Sequence, residues 1–143
     1  MITFRALNLR SPDVAWLREH IKCVLCEDTR GIVSERDGAV VGMMVADSWT
    51  ENSCQVHSAV TDPLAFKHGL HVEFAEYVFG ASGRRQMLGL VPSDNAKAIK
   101  INEHYGFTEF ARVPDAVRDG VDYIVMRMTA EDCRYYQEKL HAA

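Results

Sequence analysis

The segment from Ser53 to Val91 limits the possible folds of this 143-residue chain more than any other. A β-rich run, SCQVHSAV, precedes a helical run, LHVEFAEYVF, and then a continuous apolar run, QMLGLV, that stops at Pro92. A crossover that contains a helix joins parallel strands, whereas a tight turn joins antiparallel ones. The two β-rich runs are therefore predicted to be parallel strands, and the second is expected to be buried on both faces.

Strands and one helix are predicted before this unit. ITFRALN alternates as a strand does, and Ser11 followed by Pro12 is typical of a helix start. That helix is expected to run through the Cys-x-x-Cys pair at Cys23 and Cys26, because apolar residues recur at helical spacing. TRGIVSER and AVVGMMVADSW, joined by an Asp-Gly dipeptide, predict a β-hairpin.

The rest of the chain predicts two helices and two strands. SDNAKAIKINEHYGF and AEDCRYYQEKL indicate helices, FTEFARV and VDYIVMRM indicate strands, and TDPLAFKHG is predicted to be a loop. Together the elements predict an α/β (α+β) fold with a mixed central sheet of about seven strands and helices on both faces. No repeat or linker interrupts the chain, so residues 1–143 are expected to form a single domain.

Composition and charge limit the classes of partner. The net charge of −4 argues against a dominant basic surface, so nucleic acid is not the expected partner. No apolar run approaches the roughly 20 residues needed to cross a bilayer, and the N-terminus lacks the apolar core of a signal peptide. A cytoplasmic protein without membrane contact is expected.

The four cysteines do not have the spacing of a zinc site. Cys23 and Cys26 are close in sequence, but Cys54 and Cys133 are far apart and supply no second pair. Reduced and mostly packed thiols are the favoured interpretation, and a metal or redox site is the alternative.

Two amides fall beside the apolar stripe of the helix predicted over residues 93–107. At 100° per residue, Asn95 and Asn102 share one line, two turns or roughly 10 Å apart. A buried amide needs hydrogen-bond partners. One explanation is structural, with Asn95 at the helix start and Asn102 partly exposed. The other is that the helix flanks a groove in which a long polar ligand lies.

Residues 84–107, RRQMLGLVPSDNAKAIKINEHYGF, resemble the strand-plus-helix signature of GNAT-type N-acetyltransferases. In that family an apolar strand leads into Asn-x-x-Ala/Ser and then, two turns later, Gly-Phe; Asn95, Ala98, Gly106 and Phe107 match. The order of predicted elements also resembles the family's fold, and bacterial and phage-borne members are the most similar. The resemblance implies an enzyme that moves an acetyl group from acetyl-CoA to a primary amine by direct attack.

The resemblance also implies where acetyl-CoA would bind. In the family it lies where two parallel strands splay apart, here near Val60 and Val91, and backbone groups of the first strand pair with its pantetheine arm. The following loop and helix start would hold the pyrophosphate, since a helix N-terminus favours phosphate. The predicted cofactor-binding residues are Ser58, Val60, Thr61, Lys67, His68, Gly69, Leu70, His71, Asn95 and Asn102.

The chain departs from the family pattern at the phosphate loop. The family has Gln/Arg-x-x-Gly-x-Gly/Ala, whereas Phe66-Lys67-His68-Gly69-Leu70-His71 matches only at the first glycine. His71 stands where a small residue lets the backbone approach a phosphate, although Lys67 and His68 can add positive charge. The alternative is a plain loop that only starts the helix.

The candidate catalytic residues match the family pattern less closely than the order of predicted elements does. Many members place a tyrosine acid at the position of Asn102, and an amide donates hydrogen bonds but gives up no proton at neutral pH. Tyr105, one turn on, is either that acid or a core residue. His57, in the strand that leads to the splay, is the candidate base or else a structural histidine. The predicted catalytic residues are thus Asn102, Tyr105 and His57.

Two other functions stay open at this level. The first is a non-catalytic GNAT-fold binding or sensor domain that has lost efficient CoA binding. The second is a phage-type member that modifies nucleobases, for which a basic patch would be needed. The candidates for that patch are Arg84, Arg85, Arg112 and Arg118. A homodimer through the two closing strands, which often form an interface in the family, also stays open.

Overall fold

A seven-stranded sheet organises the part of the chain that the computed structural model describes, residues 1–21 and 23–142. The strands are β1 (Ile2–Ala6), β2 (Arg30–Arg36), β3 (Ala39–Asp47), β4 (Ser53–Val60), β5 (Gln86–Pro92), β6 (Thr108–Arg118) and β7 (Val121–Thr129). Their order across the sheet is β1-β2-β3-β4-β5-β7-β6. β4 and β5 are parallel and the other described neighbours are antiparallel, which confirms the predicted mixed sheet and its parallel pair.

Helices cover both faces of this sheet, as predicted. The helices are α1 (Asp13–His20), α2 (Leu64–Lys67), α3 (Leu70–Ala75), which continues as a π-helical turn over Glu76–Ala81, α4 (Ala96–Tyr105) and α5 (Arg134–His141). The core divides at β3, because successive strand residues point to opposite faces. Met43 and Val45 pack with Leu17 of α1, whereas Met44 and Ala46 pack with residues of α3, α4 and α5.

The β2–β3 connection confirms the predicted hairpin. Asp37 and Gly38 both have positive φ, 53° and 85°, the backbone that a two-residue type I′ turn requires. Glycine adopts such angles at no steric cost, and aspartate tolerates them better than most residues.

Two local predictions are wrong. Helix α1 ends at His20, so Cys23 and Cys26 lie in the connection to β2 and not in a helix. The reason is tertiary: Ile21 takes an extended backbone, with φ −113° and ψ 110°, while its side chain is buried beside Leu17. From there the chain turns towards Arg30, where β2 starts.

The second error is the loop predicted over TDPLAFKHG. Its residues 64–67 form α2, which Asp62 caps by accepting a hydrogen bond from the N–H of Leu64 at 3.0 Å. Pro63, taken as a breaker, has φ −55° and ψ −21°, and so starts the helix rather than preventing it.

The cysteines of the described chain are free thiols. Cys54 and Cys133 are buried, Cys23 is half-buried and Cys26 is exposed. Within residues 1–21 and 23–142 no group of three or more His, Cys, Asp or Glu side chains is placed to hold a metal ion. The helices of the same residues are all too short or too polar to cross a membrane.

Candidate active site

The two parallel strands separate in the middle of the sheet. β4 and β5 pair only from Ser53–Gln86 to Gln55–Leu88. Beyond these residues β4 continues along β3 to Val60, and β5 continues along β7 to Pro92, but the two strands no longer pair with each other. The predicted splay is therefore present. The facing edges carry backbone N–H and C=O groups that no strand satisfies.

A cavity of about 260 Å³ occupies this splay. Strands β3, β4 and β5, helix α4 and the end of α1 supply its walls. The lining residues are His20, Ile21, Met44, Val56, His57, Ser58, Gly89, Leu90, Val91, Pro92, Asn95, Ala98, Asn102, Tyr105 and Phe107. The cavity thus has an apolar body and a few convergent polar groups, the usual composition of a small-molecule site.

Gly89 leaves room inside the splay. It lies in the buried part of β5, yet a Cβ atom added there would meet no heavy atom within 4 Å. A glycine inside a strand weakens the strand and often marks a place where another group approaches the backbone closely. In the sequence this residue appears only as a glycine that interrupts the apolar run QMLGLV, and it was not among the predicted site residues.

Helix α4 presents both asparagines to the cavity. Asn95 caps the helix, with its Oδ1 accepting a hydrogen bond from the N–H of Ala98 at 3.1 Å. Asn102 is half-buried, and its Nδ2 donates to Met126 Sδ at 3.6 Å. The structural explanation therefore accounts for Asn95, which caps the helix. It accounts less well for Asn102, whose amide has only a weak sulfur acceptor as its partner. Both side chains nevertheless line the cavity, as the groove explanation requires.

His57 is held by the carboxylate of Asp47, which is not one of the predicted site residues. Its Nε2 lies 3.0 Å from Asp47 Oδ2, and the Asp47 side chain is only 8% exposed. Ser48 Oγ donates to the other carboxylate oxygen at 3.1 Å. A carboxylate only accepts hydrogen bonds, so Nε2 carries the hydrogen and Nδ1 is the nitrogen with a free lone pair.

Tyr105 and His71 stack together under the cavity. Their ring centroids are 4.7 Å apart, and burial raises the pKa of the Tyr105 hydroxyl well above its usual value. Both ring nitrogens of His71 are buried without a hydrogen-bond partner, and burial lowers its pKa to about 4. Tyr105 therefore keeps its proton at neutral pH, and His71 is uncharged.

The predicted phosphate loop offers fewer free N–H groups than the family pattern implies. The N–H groups of Lys67, His68 and Gly69 donate to carbonyls of the preceding turn at 2.9 to 3.2 Å. Gly69, at φ 104°, starts α3, and the Leu70 side chain is fully buried. The ring of His71 packs into the core and is not available to a phosphate. Only the backbone N–H of His71, in the first turn of α3, can serve the predicted role in cofactor binding.

The cavity brings together only some of the predicted site residues. His57, Ser58, Asn95, Asn102 and Tyr105 line it, so the three predicted catalytic side chains share one space. The predicted cofactor residues that lie outside its lining are Val60, Thr61, Lys67, His68, Gly69, Leu70 and His71. Trp49 lies outside this lining, and its Nε1 donates to the Asp28 carbonyl at 2.9 Å.

Several lining residues were missed. No chemical signal in the sequence marks these residues, because they are apolar or lie in an element far from the motif. They are Met44, Leu90, Pro92, Phe107, and His20 and Ile21 at the end of α1. Asp47 did give a signal in the sequence. It is a carboxylate at the end of an apolar strand, on the same face as Met43 and Val45. Strand alternation could have placed its carboxylate on the face that His57 shares.

The sequence matches no protein-family model and no curated protein. Solved structures match it over nearly its whole length. The spermidine/spermine N-acetyltransferase SpeG from Vibrio cholerae has a TM-score of 0.74 at 14% identity, over 99% of this chain and 96% of that one. A ribosomal-protein-alanine N-acetyltransferase from Escherichia coli has a TM-score of 0.65 at 18% identity, over 90% and 94%.

A third solved structure carries a ligand. It is a GNAT family acetyltransferase from Elizabethkingia anophelis with acetyl-CoA bound, with a TM-score of 0.68 at 10% identity, over 90% of this chain and 97% of that one. At such identities the likeness establishes the fold. The chain has the GNAT fold, so the resemblance seen in residues 84–107 is confirmed at that level.

Proposed function

We propose that this GNAT-fold chain is an N-acetyltransferase that moves an acetyl group from acetyl-CoA to a primary amine. The observation that carries the proposal is the splay between β4 and β5, with its cavity lined by His57, Asn102 and Tyr105. Two neighbours of the same fold are named as acetyltransferases of spermidine and of a ribosomal-protein alanine. The proposed acceptor is accordingly a small amine or a protein N-terminus.

The described residues fit the cofactor. The unpaired edges of β4 and β5 can hydrogen-bond the amides of a pantetheine arm, and Gly89 leaves the space that the arm needs. The first turn of α3 offers free N–H groups to phosphate, with Lys67 and His68 exposed beside it. Acetyl-CoA, when bound, supplies an acetyl thioester that an uncharged amine can attack.

His57 is proposed to receive the proton of the amine. An amine attacks only in its neutral form, and a positioned base within hydrogen-bond reach removes the proton as attack proceeds. Asp47 fixes Nε2 and leaves Nδ1 as the accepting nitrogen. The same carboxylate stabilises the imidazolium once the proton has moved. Asp47 thus acts as a positioning residue.

Tyr105 is proposed to be the proton donor. Burial keeps its hydroxyl protonated, and the ring stacked on His71 has a fixed orientation. Asn102 can donate a hydrogen bond into the same space but cannot lose a proton at neutral pH. The acid and the base therefore come from opposite walls of one cavity: Tyr105 from α4 and His57 from β4.

A specific observation favours a second candidate, a binding or sensor domain. The N–H groups of residues 67–69 are already bonded within the chain, which weakens the proposed grip on the pyrophosphate. The nucleobase alternative has less support, because Arg112 and Arg118 are paired with Glu109 and Asp94.

The test uses the purified chain, acetyl-CoA and two amine probes, spermidine and a peptide with an N-terminal alanine. Mass spectrometry should show one acetyl group gained by at least one probe and free CoA released in step. Cofactor binding without transfer to either probe would contradict the proposed acceptors. A chain that neither binds acetyl-CoA nor transfers from it would contradict the proposed function and favour the binding or sensor domain.

A further inference from the structure

We propose a second ligand site, an anion site formed by Arg84, Arg85 and Arg127, that takes a small molecule carrying a di- or triphosphate. These arginines line a cavity of about 550 Å³ at the start of β5 and the end of β7. The splay opens at the other end of β5, which spans roughly 20 Å. The remaining lining residues are Asn52, Gln86, Thr129, Ala130 and Glu131.

The positive charge of this cavity is not neutralised within the chain. Among the described residues, Arg84, Arg85 and Arg127 form no ion pair. By contrast, the cations that do pair with a carboxylate include Arg5, Arg36, Arg112, Arg118 and Lys139. Although the chain has a net charge of −4, three arginines without ion pairs line this one cavity, which favours an anion as its ligand. Glu131, which is exposed, is the carboxylate in the lining.

Arg84 is fixed in place and still lacks an acceptor. Its guanidinium carbon lies 5.1 Å from the centre of the Trp49 ring, and one terminal nitrogen donates to the Ser82 carbonyl at 2.6 Å. Its Nε is buried with no hydrogen-bond partner. A buried donor without an acceptor costs free energy. The second terminal nitrogen of Arg84 is less buried and has no hydrogen-bond partner among the described residues, so it can donate to an anion in the cavity.

Arg127 is oriented in a similar way. Its guanidinium carbon lies 5.5 Å from the centre of the Phe110 ring, and its Nε donates to Gln86 Oε1 at 2.7 Å. Both contacts leave its terminal N–H groups free, and Arg85, which lines the same cavity, is exposed. Planar guanidinium groups held in this way match pairs of phosphate oxygens.

The size of the cavity selects a small ligand over a polymer. Its volume lies within the roughly 300 to 1,000 Å³ of small-molecule sites. Three separate guanidinium groups can each bind one phosphoryl group of a chain. Arg84 also lines an adjoining cavity of about 420 Å³ with Arg30 and Tyr77, which gives an organic portion of the ligand a place to lie.

Titration calorimetry with sodium tripolyphosphate at physiological salt tests this site. The wild-type chain should bind the probe, and an Arg85→Gln/Arg127→Gln variant should bind it at least ~10-fold more weakly, because two charge-assisted contacts are lost. Arg118→Gln removes one positive charge at the far end of β6 and should bind as the wild type does. Thermal unfolding of each variant checks that the fold is kept.

Two further measurements separate this site from other sources of binding. Gly89→Leu fills the splay. It should leave the affinity for tripolyphosphate unchanged, because the proposed anion site is separate from the proposed acetyl-CoA site. A single-stranded oligonucleotide should bind no more tightly than tripolyphosphate. No binding by the wild type, equal binding by the double variant, loss of binding in Arg118→Gln or Gly89→Leu, or preference for the oligonucleotide would each overturn the proposal.

Discussion

His57, which lines the cavity, and the Asp47 carboxylate in contact with it are the basis of the proposed proton transfer. In the proposed mechanism His57 accepts a proton at Nδ1, while Asp47 holds Nε2 at 3.0 Å. We predict that His57→Gln lowers the rate of acetyl transfer by about 10²- to 10⁴-fold, the usual contribution of a general base. Affinity for acetyl-CoA should not change. Initial rates and titration calorimetry measure the two quantities.

His141→Gln is the matched control for this prediction. His141 lies at the end of α5, exposed and outside the cavity lining, so its loss should leave the rate unchanged. A His57→Gln variant that turns over as fast as the wild type would remove His57 from the mechanism.

His71 predicts a pH dependence of stability. Its pKa falls from 6.5 when exposed to about 4 when buried, so the unfolded chain binds more protons between these values. Its contribution to stability is therefore full above pH 6.5 and is lost as the pH falls towards 4. Because His71 as a whole is half-buried and solvent screens part of the effect, the loss of stability should be about 1–2 kcal/mol.

Urea unfolding of the wild type and of His71→Phe at pH 7.5 and 4.5 measures this contribution. Phenylalanine keeps a ring against Tyr105 and removes the titrating nitrogens. The variant should lose less stability on acidification than the wild type. Equal losses in the two proteins would show that His71 is not the group responsible.

At the scale of elements, Asn95 has a structural role at the start of α4 that can be measured without a ligand. Asn95 accepts from the N–H of Ala98, so Asn95→Ala should lower the free energy of unfolding by about 1 kcal/mol. Asn95→Ser restores a capping oxygen and should recover most of that loss. Urea unfolding measures both, and no loss in the alanine variant would contradict the capping role.

Elements with local signals could be predicted from the sequence. An Asp-Gly turn determined the β2–β3 hairpin, and a helical crossover determined the parallel pair β4–β5. The end of α1 could not be predicted, because Ile21 leaves the helix to fill a core formed by other elements. The short α2 could not be predicted either, because a proline next to a loop-like sequence suggests a break, whereas Pro63 starts this helix.

The candidate site could be predicted only in part, for the same reason. His57, Asn102 and Tyr105 were predicted because their residue types carry chemistry, and the structure places all three on one cavity. Asp47 and Gly89 were missed. Asp47 matters through its contact with a neighbouring strand, and Gly89 matters through empty space, and neither property exists before the sheet is assembled.

At the scale of the whole molecule, β5 connects two different ends of the sheet. Its C-terminal half leaves β4 and opens the proposed acetyl-CoA cleft, while its first residue borders the arginine cavity. Gln86 and Thr129 pair across β5 and β7 at that end. Substitutions in one cavity should therefore leave ligand binding in the other unchanged, which the Gly89→Leu and Arg85→Gln/Arg127→Gln variants allow to be measured in both directions.

The occupation of the splay by acetyl-CoA is the claim on which the proposed function depends. Titration calorimetry of acetyl-CoA into the wild type and Gly89→Leu tests it most directly, since a side chain at this position enters open space and should not disturb the fold. The wild type should bind, and the variant should bind at least ~10-fold more weakly with unchanged or higher thermal stability. Absence of binding by the wild type, or equal affinity in the folded variant, would contradict the account.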